Sequence, residues 1–308
     1  MKFRSDPAGI RGSIAPIVTP FTGTGAVDHE SLRGLVRFQL EAGSHGISLG
    51  GSTGEPSAQS VEERIAGMRT AVEEIGDRVP FLPGTGSHTL EETLEITAAA
   101  KELGADAALV ITPYYARPTQ EGLYQWYATV ARKFPDLPIV AYNVPSRTAI
   151  DIAPDTVKRL FVEFDNFVGV KETTKDFEHF SRVLHACGRE LLVWSGIELL
   201  GLPLLALGGT GFVSAVANLA PQAVARMYEL WEAGDFEAAR DLHYALHPLV
   251  DLLFVETNPA PAKWVLAQQG RIASAHVRPP LVQPTQAGLA RIRTLLAEGG
   301  DLTQQIGE

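Results

Sequence analysis

A single cysteine, Cys187, leaves this chain of 308 residues with no partner for an internal disulfide. That excludes a disulfide-stapled secreted scaffold and makes a reducing cytoplasm the expected compartment. Basic charge is in deficit: 26 Lys and Arg stand against 36 Asp and Glu, a net charge of -10. Such a balance argues against nucleic acid or an anionic membrane as partner. It leaves the substrate open, because a cationic pocket can sit inside an acidic protein. Long apolar runs are missing. The longest, 199–207, is interrupted by Gly201 and Pro203 and falls far short of the ~20 residues that span a bilayer. Residues 1–12 lack the apolar stretch of a secretion signal. No G-x-G-x-x-G or P-loop occurs, so no nucleotide cofactor is expected. The eight histidines show no ligand spacing beside a carboxylate. His243 and His247 are four apart but read as one helix face, so no metal is expected.

What is present is the composition of a globular protein with a full core, 45% hydrophobic and 20% charged. Short runs rich in Val and Ile recur at 13–19, 46–49, 80–83, 107–112, 138–142, 167–171, 191–194 and 211–214. Helical patterns follow them at 31–41, 61–75, 89–103, 120–134, 154–161, 176–186, 198–207 and 221–232. Ser60 with Glu63 three residues on reads as a capping box. The strands are near-continuous apolar runs, as expected when both faces of a parallel strand are covered. Eight strand-then-helix units predict an α/β fold, the TIM (β/α)₈ barrel. Beyond Asp235 the pattern is helical only, at 236–255, 260–269 and 285–298. The expected organisation is an N-terminal extension over 1–12, a catalytic barrel over 13–232 and a C-terminal helical subdomain over 233–308.

In such a barrel the chemistry lies at the C-terminal ends of the strands. Six of the seven lysines fall where lysines usually fall, on polar helix faces or in loops. Lys171 does not, because it ends the apolar run Phe167-Val168-Gly169-Val170. A lysine there can simply snorkel to water or pair with Glu172. Alternatively, an amine held in an apolar mouth loses solvation, which favours its neutral, nucleophilic form. It can then attack a ketone, and the protonated imine becomes an electron sink for an adjacent carbanion. That chemistry needs a proton shuttle, a cradle for the keto acid's carboxylate and a handle for a second substrate. Tyr142 ends the neighbouring strand and is the candidate shuttle. The Gly50-Gly51-Ser52-Thr53-Gly54-Glu55 segment is the candidate cradle, with flexible N–H donors and two hydroxyls. Arg147, in Val144-Pro145-Ser146-Arg147-Thr148, suits a distal carboxylate. Thr173 and Gly196, just past two strand ends, complete the candidate substrate-binding set. Each has a plainer reading as a rim tyrosine, a tight turn or a surface arginine.

Taken together, these residues resemble the dihydrodipicolinate synthase / N-acetylneuraminate lyase family of pyruvate-dependent class I lyases. The motifs run in order along nearly the whole chain. They are Val18-Thr19-Pro20-Phe21, Gly50–Glu55, Thr112-Pro113-Tyr114-Tyr115, Arg117-Pro118-Thr119-Gln120-Glu121-Gly122-Leu123-Tyr124, Tyr142–Thr148, Gly169-Val170-Lys171-Glu172 and Phe254-Val255-Glu256-Thr257-Asn258-Pro259. The resemblance implies a (β/α)₈ barrel with a C-terminal helical subdomain, assembled as a homotetramer of two tight dimers. It implies that Lys171 forms a covalent imine with pyruvate and that no separate cofactor is needed. Tyr142, Tyr115 and Ser52 would relay protons, with Tyr115 reaching into the partner's site. Ser52, Thr53 and Gly54 would bind the pyruvate carboxylate, and Arg147 that of aspartate semialdehyde.

The chain also departs from the synthase pattern. Ser52-Thr53 stands where synthases carry Thr-Thr and matches the sialic acid lyases, as do Gln59-Ser60 and Glu63-Arg64. Those lyases lack Arg147. Ala149 replaces a glycine, and Ser195-Gly196-Ile197-Glu198 replaces a more acidic stretch. Of the positions that bind inhibitory lysine in regulated synthases, Glu92 and Tyr114 match while Val61, Arg64 and His88 do not. Condensation of pyruvate with aspartate semialdehyde has the most matching residues. A catabolic aldolase or hydratase-aldolase that releases pyruvate from a larger 2-oxo acid is the alternative. Two readings come from other classes. Gly50-Gly51-Ser52-Thr53-Gly54 fits the G-x-S-x-G nucleophile elbow of serine hydrolases, but Pro56 and the cap at Ser60 delay the helix that an elbow requires. A silent scaffold conflicts with an intact Lys171, Tyr142 and Arg147.

Overall fold

The computed structural model describes residues 3–303. Seven strands alternate with helices: β1 Gly12–Pro16, β2 Gly46–Ser48, β3 Ala108–Ile111, β4 Ile139–Asn143, β5 Phe167–Glu172, β6 Leu192–Ser195 and β7 Gly211–Val213. The chain forms two compact units. One comprises Pro80–Val213 with the described part of Met1–Arg11, and the other comprises Gly12–Val79 with the described residues from Ser214 onward.

In the first unit the strands follow the order β7-β6-β5-β4-β3, and every ladder between them is parallel. Parallel neighbours need a crossover, and the helices Gln120–Lys133, Pro154–Glu163, Phe177–Cys187 and Gly201–Ala206 supply it. Their starts are legible: Thr119 accepts from Gly122 N and Asp176 from Glu178 N. The helices bury Leu123, Tyr127, Val157, Leu160, Phe180 and Val183 against Val110, Ile139, Phe167 and Val193 of the strands. At Gly169 a Cβ would strike the Leu192 carbonyl and the Trp194 ring, so only glycine lets β5 lie this close to β6.

The strand expected at 80–83 is reduced to single-residue bridges at Phe81 and Gly84, the latter paired with Leu109. Leu109 N donates to Pro83 O at 2.9 Å and Thr85 N to Leu109 O at 2.9 Å, so the segment still runs parallel to β3. Pro80 and Pro83 have no N–H to give, which prevents a continuous ladder.

In the second unit β1 and β2 pair in parallel across the helix His29–Glu41, whose N-terminus is capped by Asp28 accepting from Ser31 N at 3.0 Å. The helix Val61–Ile75 carries the expected capping box of Ser60 and Glu63. Asn218 ties β1 from its far end, accepting from Val18 N and donating to Pro16 O, both at 3.0 Å. The helix expected over 236–255 is two, Phe236–Ala245 and His247–Leu253. Pro248 is the reason: it has no N–H for the carbonyl one turn back and sits comfortably only in a first turn. Ala260–Gln268 and Gln286–Gly299 follow. Among the described residues no helix is long and apolar enough to cross a membrane.

Candidate active site

Lys171 stands one residue before the end of β5 with only 5% of its surface exposed. Tyr142 is its register partner on β4, is equally buried, and presents its ring 4.1 Å from the lysine Nζ. The expected neighbours are therefore neighbours, with the amine over the face of the phenol ring. Gly196, just past β6, closes the other side. A Cβ there would lie 2.9 Å from Lys171 Cε and 3.0 Å from Thr173 Oγ1. Among the described residues, the buried Thr173 hydroxyl has no hydrogen-bond partner. A buried polar atom of this kind normally has a partner, so it is a ready contact for a bound small molecule. Lys171, Tyr142, Thr173 and Gly196 thus form one cluster at three strand ends.

Behind the lysine lies a polar network that sequence reasoning missed. Glu172 Oε1 accepts from Asn143 Nδ2 at 2.9 Å and from the backbone N–H groups of Thr173 and Thr174 at 2.9 and 3.0 Å. His179 Nε2 lies 3.1 Å from Glu172 Oε2. Asp151 hydrogen-bonds Asn143 and sits 3.8 Å from His179 Nδ1. Burial pulls the imidazolium down, but Glu172, with Asp151 and Asp176 beyond it, outweighs that and holds His179 above its ordinary pKa. Asp151, Glu172 and His179 bring ligand atoms within 4.8 Å of one another, a grouping able to hold a metal ion. The Glu172 carboxylate already accepts several N–H groups, so the arrangement is that of an anion balanced by donors.

Arg147 lies on a short helix, Pro145–Thr148, and its side chain is exposed. The helix ends at Ala149 with φ 55°, the left-handed region that favours glycine. Tyr115 is 96% exposed and has φ 77°, an outlier for a residue with a bulky side chain. A strained backbone there holds an aromatic ring out in solvent.

In the second unit, Ser52, Thr53 and Gly54 form a single 3₁₀ turn between Gly51 and Glu55. Thr53 and Gly54 are buried and Ser52 is half-buried. A Cβ on Gly54 would meet Thr19 Oγ1 at 3.2 Å, so the hydroxyl would have to give by a few tenths of an ångström. The following α-helix begins only at Val61, which is not the geometry of a nucleophile elbow. Glu55 is buried in the left-handed region with φ 53° and pairs with Lys263. This overturns the expectation that every lysine except Lys171 lies on a polar face or in a loop. Lys263 is fully buried, and burial pulls it down to about 8 against the attraction of Glu55. The signal was available, since 260–267 reads Ala-Pro-Ala-Lys-Trp-Val-Leu-Ala, a lysine inside an otherwise apolar helix.

Residues 9–298 match the model of the "Dihydrodipicolinate synthetase family". A 4-hydroxy-tetrahydrodipicolinate synthase of Thermus thermophilus is 45% identical over 295 residues, covering 96% of this chain and 98% of that protein. Among solved structures, the 4-hydroxy-tetrahydrodipicolinate synthase of Methylacidiphilum fumariolicum SolV superposes with a TM-score of 0.92 at 37% identity, over 95% of this chain and 97% of the other. The chloride-inhibited dihydrodipicolinate synthase of Acinetobacter baumannii, solved in complex with pyruvate, gives 0.90 at 39% identity, over 94% and 99%. The fold class is the α/β TIM (β/α)₈ barrel with helices following at the C-terminal end. By sequence and by structure, the chain is a member of the dihydrodipicolinate synthetase family.

Proposed function

We propose that this chain is a 4-hydroxy-tetrahydrodipicolinate synthase that condenses pyruvate with L-aspartate 4-semialdehyde through an imine on Lys171. The observation that carries the reading is the Lys171 amine, 5% exposed at the end of β5, over the ring of Tyr142 and beside the unpartnered hydroxyl of Thr173. A dry amine attacks the pyruvate carbonyl, water leaves, and the iminium withdraws electrons from the methyl carbon. Loss of a methyl proton gives the enamine that adds to the aldehyde. The imine is the electron sink, and the reaction draws on no separate cofactor. In this reading Tyr142, Ser52 and Tyr115 move protons, while Ser52, Thr53 and Gly54 receive the keto acid's carboxylate. Thr173 and Gly196 bound the pyruvate, and Arg147 binds the semialdehyde's carboxylate. The exposure and strain of Tyr115 support a place for it in an interface, and we propose a homotetramer built from two tight dimers. We further propose that residues 13–232 act as the catalytic barrel and 233–308 as the helical subdomain, and that the enzyme works in the cytoplasm.

Borohydride reduction in the presence of pyruvate tests the reading: a stable adduct should map to Lys171. An adduct on another lysine, or none, defeats the mechanism. Pyruvate consumption with aspartate semialdehyde, compared with pyruvate release from a panel of 2-oxo-4-hydroxy acids, separates the synthase from a catabolic aldolase.

A further inference from the structure

The proposed chemistry uses Lys171 and leaves the other buried lysine among the described residues without a role. Lys263, on the helix Ala260–Gln268, donates to Glu55 Oε1 and, at 3.0 Å, to His276 O. Its Nζ lies 3.9 Å from the centroid of the Phe21 ring. The second Glu55 oxygen accepts from Arg278 N at 3.0 Å. Glu55 is also the residue that ends the Ser52–Gly54 turn, and it does so in a conformation that residues with a Cβ rarely adopt. Within the turn, Thr53 Oγ1 accepts from Asn258 Nδ2 at 3.1 Å, and Asn258 is itself buried. A hydroxyl that accepts from an amide keeps its own proton available to donate elsewhere. From the other flank, Gln59 Nε2 donates to Gly54 O at 2.6 Å.

A buried ion pair is a poor source of net stability, because desolvation offsets its attraction. What it does supply is a fixed geometry for the backbone that carries it. We infer that Asn258 and Lys263 are positioning residues for the keto-acid carboxylate: through the Thr53 hydroxyl and the Glu55 carboxylate they hold the Ser52–Gly54 turn in its anion-binding shape. The inference rests on the reading of that turn as the carboxylate cradle. It makes the segment that follows the barrel strands a determinant of pyruvate affinity, without touching the reacting carbon.

The test compares wild type, Asn258→Ala, and the charge-removing pair Glu55→Gln with Lys263→Met. Pyruvate KM, semialdehyde KM and kcat are measured, with borohydride trapping at rising pyruvate concentration. Asn258→Ala should raise pyruvate KM by about tenfold, the loss of roughly one hydrogen bond's worth of alignment. Turnover at saturating pyruvate and the semialdehyde KM should change far less. The paired variant avoids leaving one buried charge alone and should show the same split. Unchanged pyruvate KM in either folded variant overturns the inference, as does a parallel fall in all three constants. Should wild type itself fail to trap pyruvate on Lys171, the functional reading fails first and the inference falls with it.

Discussion

Replacing Gly196 with alanine would place a methyl carbon 2.9 Å from Lys171 Cε, 3.0 Å from Thr173 Oγ1 and 3.1 Å from Thr173 Cγ2. Carbon atoms rest at about 3.5–4.0 Å, so the pair must separate by about 1 Å. The strand backbone need not move, because Cε is the far end of a flexible side chain and the Thr173 group is small. Lys171 will therefore yield, carrying its amine away from the position it holds over Tyr142. An error of about 1 Å in a reacting group costs on the order of 100-fold in rate. The assay is the rate of borohydride-trappable adduct formation at saturating pyruvate, with thermal unfolding run alongside. The variant should melt near wild type and form the imine on the order of 100-fold more slowly. A normal trapping rate in a folded Gly196→Ala protein would refute the claim that this cleft sets the amine's position.

Tyr142→Phe should leave the fold intact and slow turnover by about 10²–10⁴, the usual worth of a positioned proton transfer; near-normal kcat removes the phenol from the relay. Arg147→Ala should spare pyruvate trapping and cripple the second half-reaction, whereas equal loss of both would give the arginine a structural role. His179 predicts a pH dependence of stability. Its folded pKa is raised, so the stabilisation is fully present below the unfolded value of 6.5 and fades as pH rises through the folded value. Wild type should therefore lose melting temperature relative to His179→Gln as pH climbs above that point, and a constant difference across the window would exclude the linkage.

The parts of the fold legible in the sequence were those written in local chemistry. Apolar runs marked β1 to β7, and the capping box of Ser60 and Glu63 marked a helix start. The errors arose where proline overrode an apolar or helical pattern, at Pro80 and Pro83 beside Gly84 and at Pro248 between two short helices. Lys171 stood out because a charge ended a strand. Lys263 also interrupts an apolar pattern, but the partner that explains it, Glu55, lies 208 residues away in the chain. The Asn143, Asp151, Glu172 and His179 network was likewise hidden, since polar residues at separations of 8 and 29 carry no period to read. Local signals single out Lys171 and Tyr142, while the partners of the groups around them emerge from tertiary contact.

The second unit draws on two stretches of chain separated by the whole of Pro80–Val213. During synthesis, β1, β2 and Glu55 leave the ribosome long before the asparagines and the lysine that secure them. Until then the buried carboxylate has no cation and the first parallel ladder lacks the amide of Asn218 that ties its end. Truncation after Val213 should consequently yield a product vulnerable to proteolysis within Gly12–Val79. Here, synthesis of the stretch after Val213 is what locks the stretch before Pro80.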